Sequence, residues 1–265
     1  MEELPQNAPD DNRNAYLKAM EDRTEKLKAW ARDLAPPRSD VRIALEVIGR
    51  RAANRIVLEK AENYRLDLRK ANLQGAELRG AHLEGADLWE ARLEGAILSG
   101  AHLEGAILSG AHLEGASLGE AHLEGAFLGW AHLEGANLVW ARLEGANLVW
   151  AHLEGASLEG ARLEGAGLVV ARLEGAFLEG ARLDNRTSFT AATLRGAAVK
   201  DVDFTPIALT QDQIDSAFGD GSTKLGNLKR PAHWPSADLN GHEFEEEWRR
   251  YLSNPASYVP PQDRA

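Results

Sequence analysis

The chain has 265 residues, no cysteine, and 41 acidic against 30 basic side chains, a formal charge of −11. That composition excludes disulfides and thiolate chemistry, fits a reducing compartment, and argues against non-specific binding to nucleic acid or anionic lipid. The opening residues Met1-Glu2-Glu3-Leu4-Pro5 lack the basic start and apolar stretch of a signal peptide, and no run approaches the ~18 apolar residues of a membrane span, so a cytoplasmic location is expected.

In chain order, residues 1–55 read as a helical N-terminal cap. Tyr16, Leu17, Met20, Leu27, Trp30 and Leu34 form a helical stripe that Pro36-Pro37 stops. Ser39-Asp40 can cap a second helix with Val41, Ala44, Leu45, Ile48 and Ala52 on one face. Arg50, Arg51 and Arg55 form a small basic cluster nearby, read as solvated or paired with the acidic segment that follows. Charge is close to balanced here, whereas residues 66–183 carry 17 acidic and 8 basic side chains.

Residues 56–204 are dominated by a period of five. Alanine occupies every fifth position from Ala71 to Ala181, with a leucine two residues later each time, from Leu73 to Leu183. The phase slips by one residue within Asp184-Asn185-Arg186 and resumes at Thr187/Phe189, Ala192/Leu194, Ala197/Val199 and Val202/Phe204. Neither regular element accommodates this spacing. Five residues of α-helix rotate a side chain by about 140°, and positions five apart in a straight strand point to opposite faces. Leucines five apart share a direction only if the chain turns a corner in every repeat. Alanine and leucine then face inward together, and the recurring glycine of Leu-Glu-Gly-Ala supplies the positive φ such a corner needs.

Ala71-Asn72-Leu73-Gln74-Gly75, Ala86-Asp87-Leu88 and Ala136-Asn137-Leu138 carry a motif that resembles the pentapeptide-repeat family, Ala-(Asp/Asn)-Leu-x-x. The resemblance implies a mainly β fold: a right-handed quadrilateral β-helix of four repeats per coil, here with helical caps at both ends. One departure is that His or Arg often stands where the family favours Asp or Asn, as at His82, Arg92 and His102. Seven coils at about 4.8 Å give a rod of roughly 30–35 Å. The stretch Val41–Arg51 with Arg65-Leu66-Asp67-Leu68 resembles a bacterial lead-in to such rods, and Gly219–Trp234 resembles a C-terminal extension. Residues 205–265 read as a helical and loop cap with a tail: Thr210-Gln211-Asp212-Gln213 is a capping box, and a second helix is expected near His242–Leu252.

Two of the four outward faces carry nearly invariant Ala-His/Arg-Leu-Glu-Gly pentads. Residues twenty apart stack, so His82, His102, His122, Arg142 and Arg162 form one column and Arg92, His112, His132, His152 and Arg172 another, each beside a column of glutamates. These read as charge-compensated, solvated ladders, with no metal site and a stability response near pH 6 from six histidines. The variable pentads place Trp89, Ile107, Phe127, Trp130, Val149, Trp150, Val169 and Val170 outward, a candidate protein interface unless a terminal segment covers it or the residues are dispersed.

No nucleophile–histidine–acid set, phosphate loop or metal-spaced cluster is present in the sequence, so no catalytic residue and no cofactor is expected. The chain reads as a non-enzymatic interaction module, self-association leading, with an unknown protein partner and no direct nucleic-acid contact. The family resemblance implies an alternative, a DNA mimic that binds the type II topoisomerase DNA gyrase, against which the His and Arg between the glutamates count.

Overall fold

The computed structural model describes residues 65–264. The N-terminal cap helices and the repeats expected before Arg65 lie outside the described residues.

From Asp67 onward each pentad contributes one bridging residue, the one between alanine and leucine, and it pairs in parallel with the residue twenty positions on: Asp67 with Asp87, Asn72 with Arg92, Glu77 with Ile97, His82 with His102. A stagger of twenty over a repeat of five defines a coil of four sides. Numbered in chain order, face 1 runs through Asp67, face 2 through Asn72, face 3 through Glu77 and face 4 through His82. No residue belongs to a long strand, because the chain turns after every bridge.

One pentad shows how the backbone is satisfied. Leu83 N–H donates to the His102 carbonyl at 2.7 Å, and His102 N–H returns to the Ala81 carbonyl at 2.8 Å. Gly85 N–H reaches the Glu104 carbonyl at 2.9 Å, and Ala86 N–H closes the corner on the Leu83 carbonyl at 3.1 Å. Gly85 has φ of +65°, the left-handed conformation that the corner demands. Inside, the alanines and leucines from Leu73 to Ala181 are buried, most of them completely. Each leucine so buried contributes about 1.5–3 kcal/mol against a comparable ordering cost. Small alanine and large leucine alternate along the inward face, side by side on the narrow axis.

The phase slip is a structural insertion. Across it the stagger becomes twenty-one: Gly167 pairs with Ser188, and Arg172 with Thr193. Two side chains repair the gap in the ladder. Asp184 Oδ1 accepts the Gly165 N–H at 2.8 Å in place of a backbone carbonyl, and the Thr187 hydroxyl donates to the Leu163 carbonyl at 2.8 Å. The same device recurs at Asp220-Gly221-Ser222-Thr223, where the Thr223 hydroxyl donates to the Val199 carbonyl at 2.8 Å and Asp203 pairs with Lys224. Bridge pairing therefore runs past Phe204, through Ala198–Phe218 to Lys224.

Helix α1, Gln211–Ser216, is inserted within this last stretch, with Thr210 and Gln213 forming a capping box. Gln213 Nε2 donates to the carbonyls of Phe189 and Ala192 at 2.8 and 2.9 Å, and at Ala192 it occupies the acceptor that a further rung would have used. Helix α2, Gly241–Ser253, packs against the rod with Phe244, Trp248, Tyr251 and Leu252 buried. The Trp248 indole donates to the Gly196 carbonyl at 2.8 Å and its ring lies 4.5 Å from Phe177. Phe218 contacts Phe244 and Tyr251. Phe177 and Phe218 are bridging residues of face 3, so α2 lies along that side of the rod. Buried Glu247 then holds the tail by accepting from Arg250 at 2.6 Å, from the Tyr258 hydroxyl at 2.8 Å, and from Arg264. No helix among the described residues is long and apolar enough to cross a membrane.

Candidate interaction faces

The register brings all eight residues of the predicted interface to one side. Ile107 and Phe127 are bridging residues of face 1, and Trp89, Trp130, Val149, Trp150, Val169 and Val170 line the corner that follows it. Exposure is largest at Trp130 (61 %), Phe127 (49 %), Trp150 (48 %) and Trp89 (39 %). Ile107, Val149, Val169 and Val170 are half-buried. Trp89 has a partner of its own, since Lys70 Nζ sits 4.6 Å above its ring.

Trp130 and Trp150 hold φ of +56° and +62° at the left-handed corner position, which is glycine at Gly110 but also carries side chains at Lys70, Glu90, Val170 and Ala191. A side chain there is strained by about 1–2 kcal/mol relative to the right-handed region. A further tryptophan absent from the predicted strip, Trp140, is 59 % exposed with φ of +58°, but on the opposite corner, after face 3. Its ring covers Gly160, where an added Cβ would stand 2.5 Å from it, so this indole has a use within the rod. Its absence from the strip follows from a ten-residue offset, which is half a coil.

The histidine and arginine columns stack as their spacing predicts, on faces 4 and 2, but most of the glutamates turn inward rather than into solvent, Glu104 at 34 % being more open. The side chains of Glu84, Glu94, Glu134 and Glu154 are only 13, 9, 13 and 7 % exposed. In every Leu-Glu-Gly corner from Glu84 to Glu174 one carboxylate oxygen, Oε2, is buried without a hydrogen-bond partner. The reason is the corner itself, which bends the glutamate back between its own coil and the next instead of outward.

Cations reach these carboxylates across the coils: Arg142 to Glu124 at 2.5 Å, Arg162 to Glu144 at 2.6 Å, Arg172 to Glu154 at 2.9 Å and Arg182 to Glu164 at 3.1 Å. Elsewhere the neighbour is imidazole. Burial alone would raise the Glu134 pKa, but contacts from His132 and His152 and its own amide bring it down to about 2. The same contact with Glu134 raises His132 despite its partial burial. Glu154 is more deeply buried, and although Arg172 opposes the shift, burial and the flanking Glu174 and Glu134 push it up to about 7.

Comparison with known proteins follows this geometry. The Pentapeptide repeats model matches residues 65–100, 96–135, 111–148 and 146–185, which are the coils just described. The chain belongs to the pentapeptide-repeat family. Among solved structures it is similar to HetL, a pentapeptide repeat protein involved in heterocyst differentiation regulation from the cyanobacterium Nostoc sp. strain PCC 7120, at 28% identity over 71% of this chain and 99% of that one, with a TM-score of 0.39. It is similar to Rfr23 from the cyanobacterium Cyanothece 51142 at 39% identity over 38% and 61% of the two chains, TM-score 0.21. It is also similar to a trypsin-treated form of QnrB1, a plasmid-mediated fluoroquinolone resistance protein, at 18% identity over 69% and 82%, TM-score 0.33. No curated protein matches the chain.

The pentapeptide-repeat preference for Asp or Asn between alanine and leucine has a visible cause here. Asn137 and Asn147 each accept the amide of the residue two positions on, Val139 and Val149, at 3.0 Å. Where His or Arg takes that position the amide loses that acceptor, and the glutamate that owns the amide contacts it instead, which helps lower Glu134 and opposes the upward shift that burial gives Glu114 and Glu154.

Proposed function

We propose that this pentapeptide-repeat protein is a non-enzymatic interaction module that associates with a second copy of itself through the apolar strip of face 1 and its following corner, in the cytoplasm, with its terminal segments serving as caps to the rod. The observation that carries this reading is the pair Trp130 and Trp150. Each is about half or more exposed and each holds a left-handed φ where glycine would be free of strain. The left-handed φ is shared with Lys70, Glu90, Val170 and Ala191 on the same corner, so what marks the pair is contiguous exposed aromatic surface, which favours a role outside the monomer.

Two features support the choice of occupant. Helix α2 lies along face 3 and leaves face 1 uncovered by the C-terminal segment. A flat strip whose rungs repeat at about 4.8 Å can match its own spacing in a second rod across a two-fold axis, as isologous association requires. The alternative, a DNA mimic of gyrase-binding type, has less to rest on, because the glutamate columns are drawn into the corners and interleaved with His and Arg rather than displayed as a phosphate-like surface.

Sedimentation velocity over a hundredfold concentration range tests the proposal. The expected result is a concentration-dependent dimer that W130D and W150D each convert to monomer. A concentration-independent monomer with its tryptophans open to quencher overturns it. Inhibition of gyrase supercoiling by the purified chain, weakened by salt, would favour the mimic instead.

A further inference from the structure

We propose that the rod carries two equivalent binding sites for a divalent transition metal of the zinc class, one on face 4 formed by His102, Glu104 and His122, the other on face 2 formed by His132, Glu134 and His152. In each, one carboxylate oxygen is shared by imidazoles from successive coils. Glu104 Oε1 lies 3.2 Å from His102 Nδ1 and 3.4 Å from His122 Nδ1. Glu134 Oε1 lies 3.4 Å from His132 Nδ1 and 3.7 Å from His152 Nδ1. The three ligand atoms of each set all lie within 4.8 Å of one another.

Ring orientation separates these two positions from the rest of the columns. The preceding histidine pairs stack nearly parallel, His82 on His102 at 14° and His112 on His132 at 2°. At the two shared carboxylates the rings tilt, by 46° for His102 and His122 and by 39° for His132 and His152. The charge balance points the same way. Glu124, Glu144, Glu154 and Glu164 each meet an arginine from the next coil, whereas Glu104 and Glu134 are paired with histidine on both sides. Each also keeps a buried Oε2 without a hydrogen-bond partner. A cation is thus present by sequence at the arginine rungs. Glu84 and Glu114 also lie between histidines, but there the rings stay parallel; at the two histidine rungs with tilted rings a bound dication would supply the charge.

Two neutral imidazoles and a carboxylate are the donor set of zinc-class ions, with the remaining positions left to water. Metal–ligand bonds of about 2.0–2.2 Å require the donor atoms to close to roughly 3.3 Å. The histidines can make that movement by side-chain torsion, since His102, His122, His132 and His152 remain 27–35 % exposed.

Isothermal titration of the full, tag-free chain with zinc chloride at pH 7.5 tests the assignment. The expected result is two equivalents per chain, with H102N and H132N each removing one and the double variant removing both. Asparagine stands at the same repeat position in Asn72, Asn137 and Asn147, so these variants keep the fold, and a circular dichroism spectrum checks it. Glu134→Gln should weaken the second site at least tenfold, while H242A, on exposed α2, should leave the stoichiometry at two. Absence of heat beyond dilution, a stoichiometry other than two, or two equivalents retained in the double variant overturns the proposal.

Discussion

From Ala71 to Leu183 every interior position is Ala or Leu and every rung except that of Gly165 is paired by backbone alone, while after Asp184 the same coil is continued by individual side chains. The Asp184 carboxylate takes the Gly165 N–H and the Gln213 amide the Ala192 carbonyl, both paired by backbone in a regular coil, while the Thr187 and Thr223 hydroxyls and the Trp248 indole add bonds to the Leu163, Val199 and Gly196 carbonyls. The regular part is held by repetition, so that its stability is spread over neighbours and no single residue is unique. In the C-terminal part, single residues carry single functions, and each can be removed without a second copy to replace it. The difference teaches that a sequence repeat supplies cooperative length, whereas termination and insertion need specific polar chemistry.

Single substitutions can break that contrast at either end. Trp248→Ala should cost about 3–5 kcal/mol, since it removes the ring packed on Phe177 and leaves the Gly196 carbonyl unpaired. Urea denaturation should then show the C-terminal coils losing amide protection before the coils around Leu128. Leu128→Ala, in the regular part, should cost about 2–5 kcal/mol by the cavity it leaves, and should lower protection on both sides of the substitution equally.

Thr187→Val keeps the shape and removes the hydroxyl bond to the Leu163 carbonyl, which the Ala166 N–H still serves, for an expected loss of about 0.5–1.5 kcal/mol. Thr223→Val should match it within error, because its hydroxyl meets the Val199 carbonyl in the same way. A clear inequality between the two would show that the insertions are not the same device. In the opposite direction, Trp130→Gly should stabilise the monomer by about 0.5–1 kcal/mol, the relief of the left-handed strain less the chain entropy of glycine.

A smaller effect distinguishes the histidine–glutamate faces of the metal-free chain by pH. Glu134, whose folded pKa is lowered to about 2, contributes stability that is present above the ordinary glutamate value of 4.5 and lost as pH falls below it. His132 is raised, so its contribution is present below 6.5 and lost as pH rises through its folded value. Glu114, raised chiefly by burial, and Glu154, raised to about 7, favour the neutral acid in the fold, so stability falls as pH climbs from 4.5 through about 7. Melting temperature in the presence of a chelator should therefore peak near pH 5 and decline toward pH 8. A flat profile across that range would remove the coupling between these columns.

Much of this architecture was legible from residue types alone. Five-residue spacing of Ala and Leu has one geometric solution, and that spacing places Trp130 and Trp150 on one corner and His132 over His152. The first insertion was visible as a phase slip at Asp184. The second was present as the same Asp-x-x-Thr pattern at Asp220–Thr223, but α1 interrupts the pentads before it and hides the register. The direction of the glutamates was not legible, because a residue following a leucine in an exposed corner can turn either way until the amide beneath it and the next coil above it are in place.

Local spacing therefore determined the coil, its four faces and which residues share a column, since a corner every five residues is a property of the backbone. Tertiary structure decided which side α2 lies along, where the glutamate oxygens come to rest, and how two imidazoles from different coils converge on one carboxylate. Those outcomes depend on contacts between residues about twenty or more positions apart, whose energies are set by burial and neighbouring charge rather than by the repeat itself.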